Sequence, residues 1–106
     1  MSNLKPYHEI PEHLQNEQKY FSVPTHIFNK LAGKTNAFMI YSFLCSRYNF
    51  LTKYSFVTVH HIQQQLGYKN EQPITDTLNF LKKQQLIEVR KVEGLGENCY
   101  QIYFIE

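Results

Sequence analysis

Three side chains able to hydrogen-bond to nucleic-acid bases recur at helical spacing in the C-terminal half of the chain. In the stretch "NEQPITDTLNFLKKQQLI", residues 70–87, Gln72, Thr75 and Asn79 fall off the apolar face. Amides and hydroxyls at such positions can bond to base edges in the major groove of DNA. The first two turns also carry Glu71 and Asp76 and no Lys or Arg, so this face is poor at attracting phosphates. The alternative interpretation is a solvated or protein-facing surface.

The charges are segregated along the chain, although the net charge is only +2. Residues 18–70 contain six Lys or Arg and no Asp or Glu. Residues 1–17 hold one Lys against three Glu, and residues 71–106 hold four bases against six acids, so each flank carries −2. A basic middle between acidic ends favours a positive face that binds a polyanion. The alternative is a set of lysines scattered and solvated on several faces.

The elements that must position these side chains belong to one domain, since 106 residues leave no room for a second. Residues 1–19 are polar and show no sustained period, which predicts an N-terminal arm before a domain over residues 20–106. The segment "SVPTHIFNKLAG" predicts a first helix capped by Ser22, with Pro24 in its first turn and Gly33 at its end. Its apolar stripe comprises Ile27, Phe28 and Leu31.

The segment "KTNAFMIYSFLCSRYNF" predicts a longer second helix that is capped by Thr35. This helix is apolar on most sides, so either it runs through the centre of the domain or its spare face is a dimer interface. The apolar run from Ala37 to Cys45 is broken by Ser42 and is too short to span a bilayer. The stripe is Phe38, Tyr41, Cys45 and Tyr48, widened by Met39, Ile40, Phe43 and Leu44.

The remaining pattern predicts a short strand, two helices and a hairpin. "YSFV" is the strand, and "TVHHIQQQLG" is a helix with Thr58 as its cap and Gly67 as its stop. Asn70 caps the fourth helix. Alternation in "IEVRKV" and "CYQIYFI", joined by "EGLGEN", predicts a C-terminal β-hairpin. The core-facing residues of the two helices are Val59, Ile62, Leu66, Ile74, Leu78 and Leu81.

The candidate phosphate-binding cations lie next to these elements. Arg90 and Lys91 are near the end of the first hairpin strand, where a cation can reach phosphates or the minor groove. Lys69, in the turn before the fourth helix, can clamp one phosphate together with the amides of that helix's N-terminus. For any single lysine the alternative is solvation alone. Further candidates are Lys34, Lys53 and Lys5.

Other chemistry has little support in the sequence. His60 and His61 are adjacent and point to different sides of a helix, so they predict no shared metal ion. Cys45 and Cys99 lie in apolar runs, which predicts buried free thiols in a reducing cytoplasm, with a disulfide as the less favoured alternative. No catalytic motif surrounds either cysteine. The sequence therefore predicts no enzyme, no cofactor and no metal site.

From Val57 to Ile105 the chain resembles the winged helix-turn-helix family. The stretch "VTVHHIQQQLGYKNEQPITDTLNFLKKQQLIEVRKVEGLGENCYQIYFI" is similar to the family pattern of a helix "T..IA..LG", a helix "T/V...L..L...GLI" and two strands around a polar wing. Two departures are Gln85, where the family usually has Gly, and a turn after Gly67 that is one residue longer. The matching positions are Thr58, Ile62, Leu66, Gly67, Ile74, Leu78, Leu81, Leu86 and Ile87.

Two further segments extend the resemblance to about Phe21. "FMIYSFLCSRYN" and "YFSVPTHIF" are similar to segments of winged-helix proteins and replication initiators from plasmids and phages of low-GC bacteria. The resemblance implies an α+β winged helix-turn-helix fold that binds double-stranded DNA sequence-specifically. We expect the protein to act as a homodimer, formed through the spare apolar face of the second helix or through the N-terminal arm. Three DNA sites are implied as settings: origin repeats in replication, a conjugative transfer origin, or the chain's own promoter. At either origin, other proteins of the replication or transfer complex are the implied partners.

Two alternatives remain open at this point. The chain can be a winged-helix transcriptional regulator, or a protein-interaction module that docks through the acidic helix over residues 71–83. In the DNA-binding interpretation, the cations of the hairpin contribute more than the fourth helix, because that helix carries two carboxylates in its first turns. No membrane partner is expected.

Overall fold

The computed structural model describes residues 20–93 and 99–105 of the chain. The predicted arm over residues 1–19, which includes Lys5, and the hairpin tip over residues 94–98 lie outside the described residues. The described part combines helices with an antiparallel sheet, so the predicted α+β class is confirmed. The elements are α1 (Thr25–Lys30), α2 (Thr35–Ser46), β1 (Tyr48–Asn49), β2 (Tyr54–Thr58), α3 (Val59–Leu66), α4 (Gln72–Lys83), β3 (Ile87–Val92) and β4 (Cys99–Phe104).

The sheet has the strand order β1-β2-β4-β3, and all neighbouring strands are antiparallel. The predicted hairpin is confirmed: β3 pairs with β4 from Ile87 opposite Phe104 to Val92 opposite Cys99. The predicted strand "YSFV" is confirmed as β2, which pairs with β4. α3 and α4 lie between β2 and the hairpin in sequence, so the pairing of β2 with β4 brings the two ends of this helical segment together in one sheet.

The hydrophobic core lies between the helices and one face of the sheet. α2 packs against α4, α3 and β2, so it runs through the centre of the domain. The side chains of α4 predicted to face the core, Ile74, Leu78 and Leu81, are all buried, as are Val59 and Ile62 of α3. Side chains of α2, β2, β3 and β4 complete this core, including Ala37, Ile40, Tyr41, Leu44, Val57, Ile87 and Ile102.

The first two helices start at residues other than those predicted. α1 begins at Thr25 with Pro24 at its N-cap position, and α2 begins at Thr35 with Lys34 at its N-cap position. The predicted caps Ser22 and Thr35 are therefore wrong. Neither helix start has a side-chain cap, because the side chains of proline and lysine carry no hydrogen-bond acceptor.

The starts of α3 and α4 follow the sequence more closely. Thr58 caps α3 as predicted, since its Oγ1 accepts a hydrogen bond of 2.9 Å from the backbone N–H of His61. Gly67 ends α3 in the left-handed conformation, with a φ of 78°. Asn70 Oδ1 accepts a 3.1 Å hydrogen bond from the N–H of Gln72, yet the N-cap position of α4 is Glu71, one residue after the predicted cap.

Two aromatic side chains differ from the predicted helical stripes. Phe28 is 53% exposed, because its ring packs edge-on against the half-buried Phe38 on the rim of the core rather than entering it. Tyr48 lies in β1 and not in the second helix, which ends at Ser46. The two-residue strand β1 itself has no counterpart among the predicted elements.

Gln85, at the position where the winged-helix pattern usually has glycine, adopts a strained backbone conformation. Gln85 follows α4 with a φ of 61°, in the left-handed region that favours glycine. Its N–H donates to the carbonyl of Lys82 at 2.9 Å, and the N–H of Leu86 donates to the carbonyl of Leu81 at 3.0 Å. These bonds end the helix and direct the chain into β3. Gln85 therefore keeps the left-handed conformation, although glycine would adopt it with less strain.

We expect the substitution Gln85→Gly to raise the free energy of unfolding by about 1 kcal/mol, because it removes the left-handed strain of a side chain with a Cβ. Urea unfolding followed by circular dichroism measures this difference. The matched control is Gln84→Gly, since Gln84 has a φ of −77° and gains nothing from glycine. We expect that control to be destabilised, and equal losses in both variants would contradict the explanation.

Candidate nucleic-acid interface

The outer face of α4 brings the three predicted base-reading side chains together. Gln72, Thr75 and Asn79 are all exposed, and their spacing of three and four residues places them on one side of the helix. Asp76 shares this face, and its Oδ1 accepts a hydrogen bond of 2.7 Å from Nε2 of Gln72. One of the candidate readers is thus already bonded to a carboxylate within its own helix.

The turn between α3 and α4 presents Lys69 just before the start of α4. The carbonyl of Lys69 accepts a 3.1 Å hydrogen bond from Nε2 of Gln63, which fixes the turn, and its side chain is exposed. The N–H of Gln72 donates to Asn70 Oδ1, and the N–H of Ile74 donates to the carbonyl of Glu71. Pro73 has no N–H to offer. A phosphate held by Lys69 and these helix amides, as the sequence predicts, must therefore compete with bonds that the amides already make.

The start of α2 joins this face, which the sequence did not indicate. Lys34 and Asn36 line a shallow depression together with Asp76 and Phe80 of α4. The hydroxyl of Tyr68, in the α3–α4 turn, donates a 2.8 Å hydrogen bond to Asn36 Oδ1. This bond joins residues 32 positions apart, and no local spacing in the sequence could have predicted it. Lys34, an isolated candidate in the sequence, thus lies beside the candidate readers.

The hairpin holds Arg90 in a defined position. Its Nε donates a 2.8 Å hydrogen bond to Oε2 of Glu88, and its guanidinium lies 4.5 Å from the centre of the Tyr103 ring. The hydrogen bond and the charge of Glu88 raise the pKa of Arg90. Glu88 offsets the charge of Arg90, but it occupies only the Nε–H, so the terminal N–H groups of the guanidinium remain able to bind a phosphate.

Lys91 is exposed and follows Arg90 directly in β3. Adjacent residues of a strand point to opposite faces of the sheet, so the two cations do not form one cluster. Lys53 lies farther away, in the turn between β1 and β2 with a φ of 72°, at the opposite edge of the sheet from β3. The structure therefore does not bring Lys53 to the hairpin.

Burial raises the pKa of two titratable groups in the core. Both cysteines are free, with Cys99 buried and Cys45 half-buried. Burial raises the pKa of Cys45 to about 12, which keeps it in the thiol form at neutral pH. Burial, with a smaller contribution from Cys45, likewise raises the pKa of Tyr41 to about 12. His60 is exposed, and the ring of His61 packs edge-on against Phe43 at 5.6 Å.

Within residues 20–93 and 99–105, no group of three or more His, Cys, Asp or Glu is placed to hold a metal ion. None of the helices in this part of the chain is both long and apolar enough to cross a membrane. Comparison of the chain with protein-family models, with curated proteins and with solved structures gave no match. The function must therefore be argued from the site itself.

The raised pKa values predict a loss of stability at alkaline pH. Cys45 ionises from an ordinary value of 9.0 in the unfolded chain but only at about 12 in the folded one, so the unfolded state releases its proton first. The free energy of unfolding then falls from about pH 9 upwards, by about 1 kcal/mol from this group at pH 10. Urea unfolding at pH 7, 9 and 10 measures the slope.

The variant Cys45→Ala provides the comparison. It removes the thiol and should make the decline between pH 9 and 10 shallower, whatever the substitution does to stability at pH 7. The slope that remains reports Tyr41, whose pKa is also raised. An identical slope in the two proteins would contradict the burial of this thiol.

Proposed function

We propose that the chain is a winged helix-turn-helix domain that binds double-stranded DNA sequence-specifically. The succession α3, turn, α4 and hairpin supports this proposal, as does a sheet in which β2 pairs with the second hairpin strand. The observation that carries it is the hairpin directly after α4, which exposes the cations Arg90 and Lys91. The outer face of α4 adds the candidate base readers Gln72, Thr75 and Asn79, with Lys69 in the turn before it and Lys34 beside it.

The setting we propose follows from the resemblance alone. It is plasmid or phage DNA metabolism in the cytoplasm, with origin repeats in replication or a conjugative transfer origin as the DNA site. The protein acts there as a homodimer. The exposed side of α2, where Met39 is 44% exposed, is the surface we assign to self-association, because α2 is apolar on most sides. Sedimentation tests this assignment, and a strict monomer at high concentration would contradict it.

The hairpin contributes more to the affinity than α4 in this proposal. The outer face of α4 carries Asp76, and Glu71 lies at its N-cap position, so phosphates are repelled from its first turns. Lys91 is an exposed cation on the hairpin, and Arg90 is exposed with only its Nε–H bonded to Glu88. Cations at this place can contact phosphates and read the width of the minor groove.

The direct test is a mobility-shift titration on duplexes that contain origin-like repeats. A DNA-binding protein should show log affinity falling linearly with log salt, with a slope of about −0.9 for each phosphate contact. We expect the double variant Arg90→Ala and Lys91→Ala to reduce this slope by about one per lost contact. No shift at low salt on any duplex would contradict the proposal.

The pair of Glu88 and Arg90 allows a sharper prediction. Glu88→Gln removes the carboxylate that balances Arg90, so we expect duplex affinity to rise about fivefold at low salt, with a steeper salt dependence. The matched control is Glu71→Gln, which removes the same charge from the start of α4. A larger gain in the control than in Glu88→Gln would place the phosphates at α4 and contradict the leading role of the hairpin.

The readers on α4 are tested separately. We expect the triple variant Gln72→Ala, Thr75→Ala and Asn79→Ala to lose less than about threefold in affinity. In this proposal the phosphate contacts of the hairpin supply most of the affinity, and these three side chains are uncharged. Competition between repeat and scrambled duplexes measures sequence preference in the same assay. Abolition of that preference would assign base reading to α4 and overturn the hairpin-first proposal.

A second candidate function is a protein-interaction module that docks through α4. The carboxylates of Glu71 and Asp76, together with the half-buried Phe80, favour a basic partner with an apolar anchor. A winged-helix transcriptional regulator is a third possibility that uses the same DNA contacts. The mobility-shift experiment separates the interaction module from both DNA-binding functions.

A further inference from the structure

A groove of about 770 Å³ opens between the chain entering α1, the C-terminal half of α2, β1 with its turn, and the end of β4, and no residue of α4 lines it. Seven of the fourteen described residues that line it are Phe or Tyr. This volume is within the range of sites that hold a ligand of nucleotide size. Of the candidates from the sequence that lie in the described part of the chain, only Lys53 lines it.

Four of the rings form a connected row along the groove. Tyr41 packs on Phe104 with ring centres 5.3 Å apart, Phe104 lies 5.8 Å from Tyr48, and Tyr48 lies 5.3 Å from Phe50. Tyr41 is buried at one end of the row, whereas Phe50 is 53% exposed at the other. Since each ring is held by its neighbour, the row forms a preformed wall that ends in an accessible aromatic face.

A tight turn holds Phe50 at the rim. Asn49 is 4% exposed, and its Oδ1 accepts hydrogen bonds from the N–H groups of Leu51 at 2.7 Å and Thr52 at 3.2 Å. Its carbonyl accepts a third bond of 2.8 Å, from the N–H of Lys53. The exposure of Phe50 is thus built into the fold, because a buried polar side chain organises the turn that presents it.

The charge of the groove complements an anion. Among the described residues, no Asp or Glu lines it, while Lys53 and His26 do. The surrounding sequence from residue 18 to residue 70 also contains no acid, so no nearby carboxylate in that segment offsets Lys53. Aromatic faces beside cations are the combination that binds single-stranded nucleic acids, in which bases stack on rings and phosphates meet lysines. A duplex keeps its bases stacked and cannot offer their faces to such a groove.

We propose that this groove binds single-stranded nucleic acid, with an unstacked base against Phe50 and a backbone phosphate beside Lys53. The proposal does not rest on duplex binding by the hairpin and α4. It adds a second nucleic-acid surface on another side of the domain. DNA and RNA share the chemistry required, and the experiment distinguishes them.

The test is fluorescence anisotropy of labelled oligo(dT) and oligo(rU), titrated with the full chain at several salt concentrations. We expect Phe50→Ser to weaken binding about tenfold, as loss of one stacked base does. Lys53→Gln should weaken it and reduce the salt slope by about 0.7, the value for one phosphate of a single strand. The oligonucleotide that binds more tightly shows whether the groove prefers DNA or RNA.

The chain offers matched controls. Phe28 is also 53% exposed and also packs edge-on against one ring, but it does not line the groove. Phe28→Ser and Lys30→Gln should therefore bind oligonucleotides within twofold of the unaltered protein. Phe50→Leu keeps an apolar side chain without a ring and should behave as Phe50→Ser, which separates stacking from folding. Circular dichroism confirms that each variant is folded.

Three results would overturn the proposal. The first is no binding of either oligonucleotide at low salt, and the second is equal losses for Phe50→Ser and Phe28→Ser. The third is a change in sedimentation caused by Phe50→Ser without any effect on oligonucleotides, which would make the groove a self-association surface. Duplex mobility shifts with Phe50→Ser and Phe50→Leu should be unchanged, so failure of either nucleic-acid proposal is distinguishable from failure of the other.

Discussion

A buried hydrogen bond between α2 and the sheet fixes the geometry on which the candidate surfaces depend. The hydroxyl of Ser55, in β2, donates to the carbonyl of Leu44 at 2.7 Å, and Ser55 is fully buried. The same carbonyl accepts a 3.1 Å bond from the N–H of Arg47, so α2 ends where β2 is attached. A buried polar group left unpaired costs about 1–3 kcal/mol, which opposes sliding of β2 along α2. The turn before β2 and the cap of α3 after it are both positioned by this one attachment.

Local chemistry made much of the fold predictable. Thr58 caps α3 and Gly67 ends it because each acts within four residues of its partner, so the sequence alone indicates both ends. The helical spacing of apolar residues likewise predicts α4, and the alternation of apolar and polar residues predicts the hairpin. β1 escaped prediction because it has only two residues and is held by its pairing with β2 and by the side chain of Asn49, rather than by any periodicity. The sequence places Tyr48 in the second helix because this residue continues the apolar stripe of that helix.

The candidate site was less predictable, since its properties arise from contacts between distant residues. The sequence showed Arg90 as a cation but not that Tyr103, on the neighbouring strand, lies under its guanidinium. It placed Lys34 before α2 without indicating that this residue shares a depression with Asp76. The row of rings that ends at Phe50 joins α2, β1 and β4, and only the folded chain assembles it. Composition revealed many aromatic residues but not that a groove collects seven of them.

The internal bonds of α4 are the physical reason for assigning more of the DNA affinity to the hairpin. Nε2 of Gln72 already donates one of its two N–H groups to Asp76, which holds the amide in place and leaves one N–H and the carbonyl oxygen for a base. Lys34 lines the same depression as Asp76, and opposite charges so close together largely cancel beyond a Debye length of about 8 Å. The first two turns of α4 therefore attract phosphates weakly, whereas its last turn carries the exposed cations Lys82 and Lys83. In our proposal the sequence preference then follows the shape of the groove met by the hairpin cations, rather than base edges met by α4.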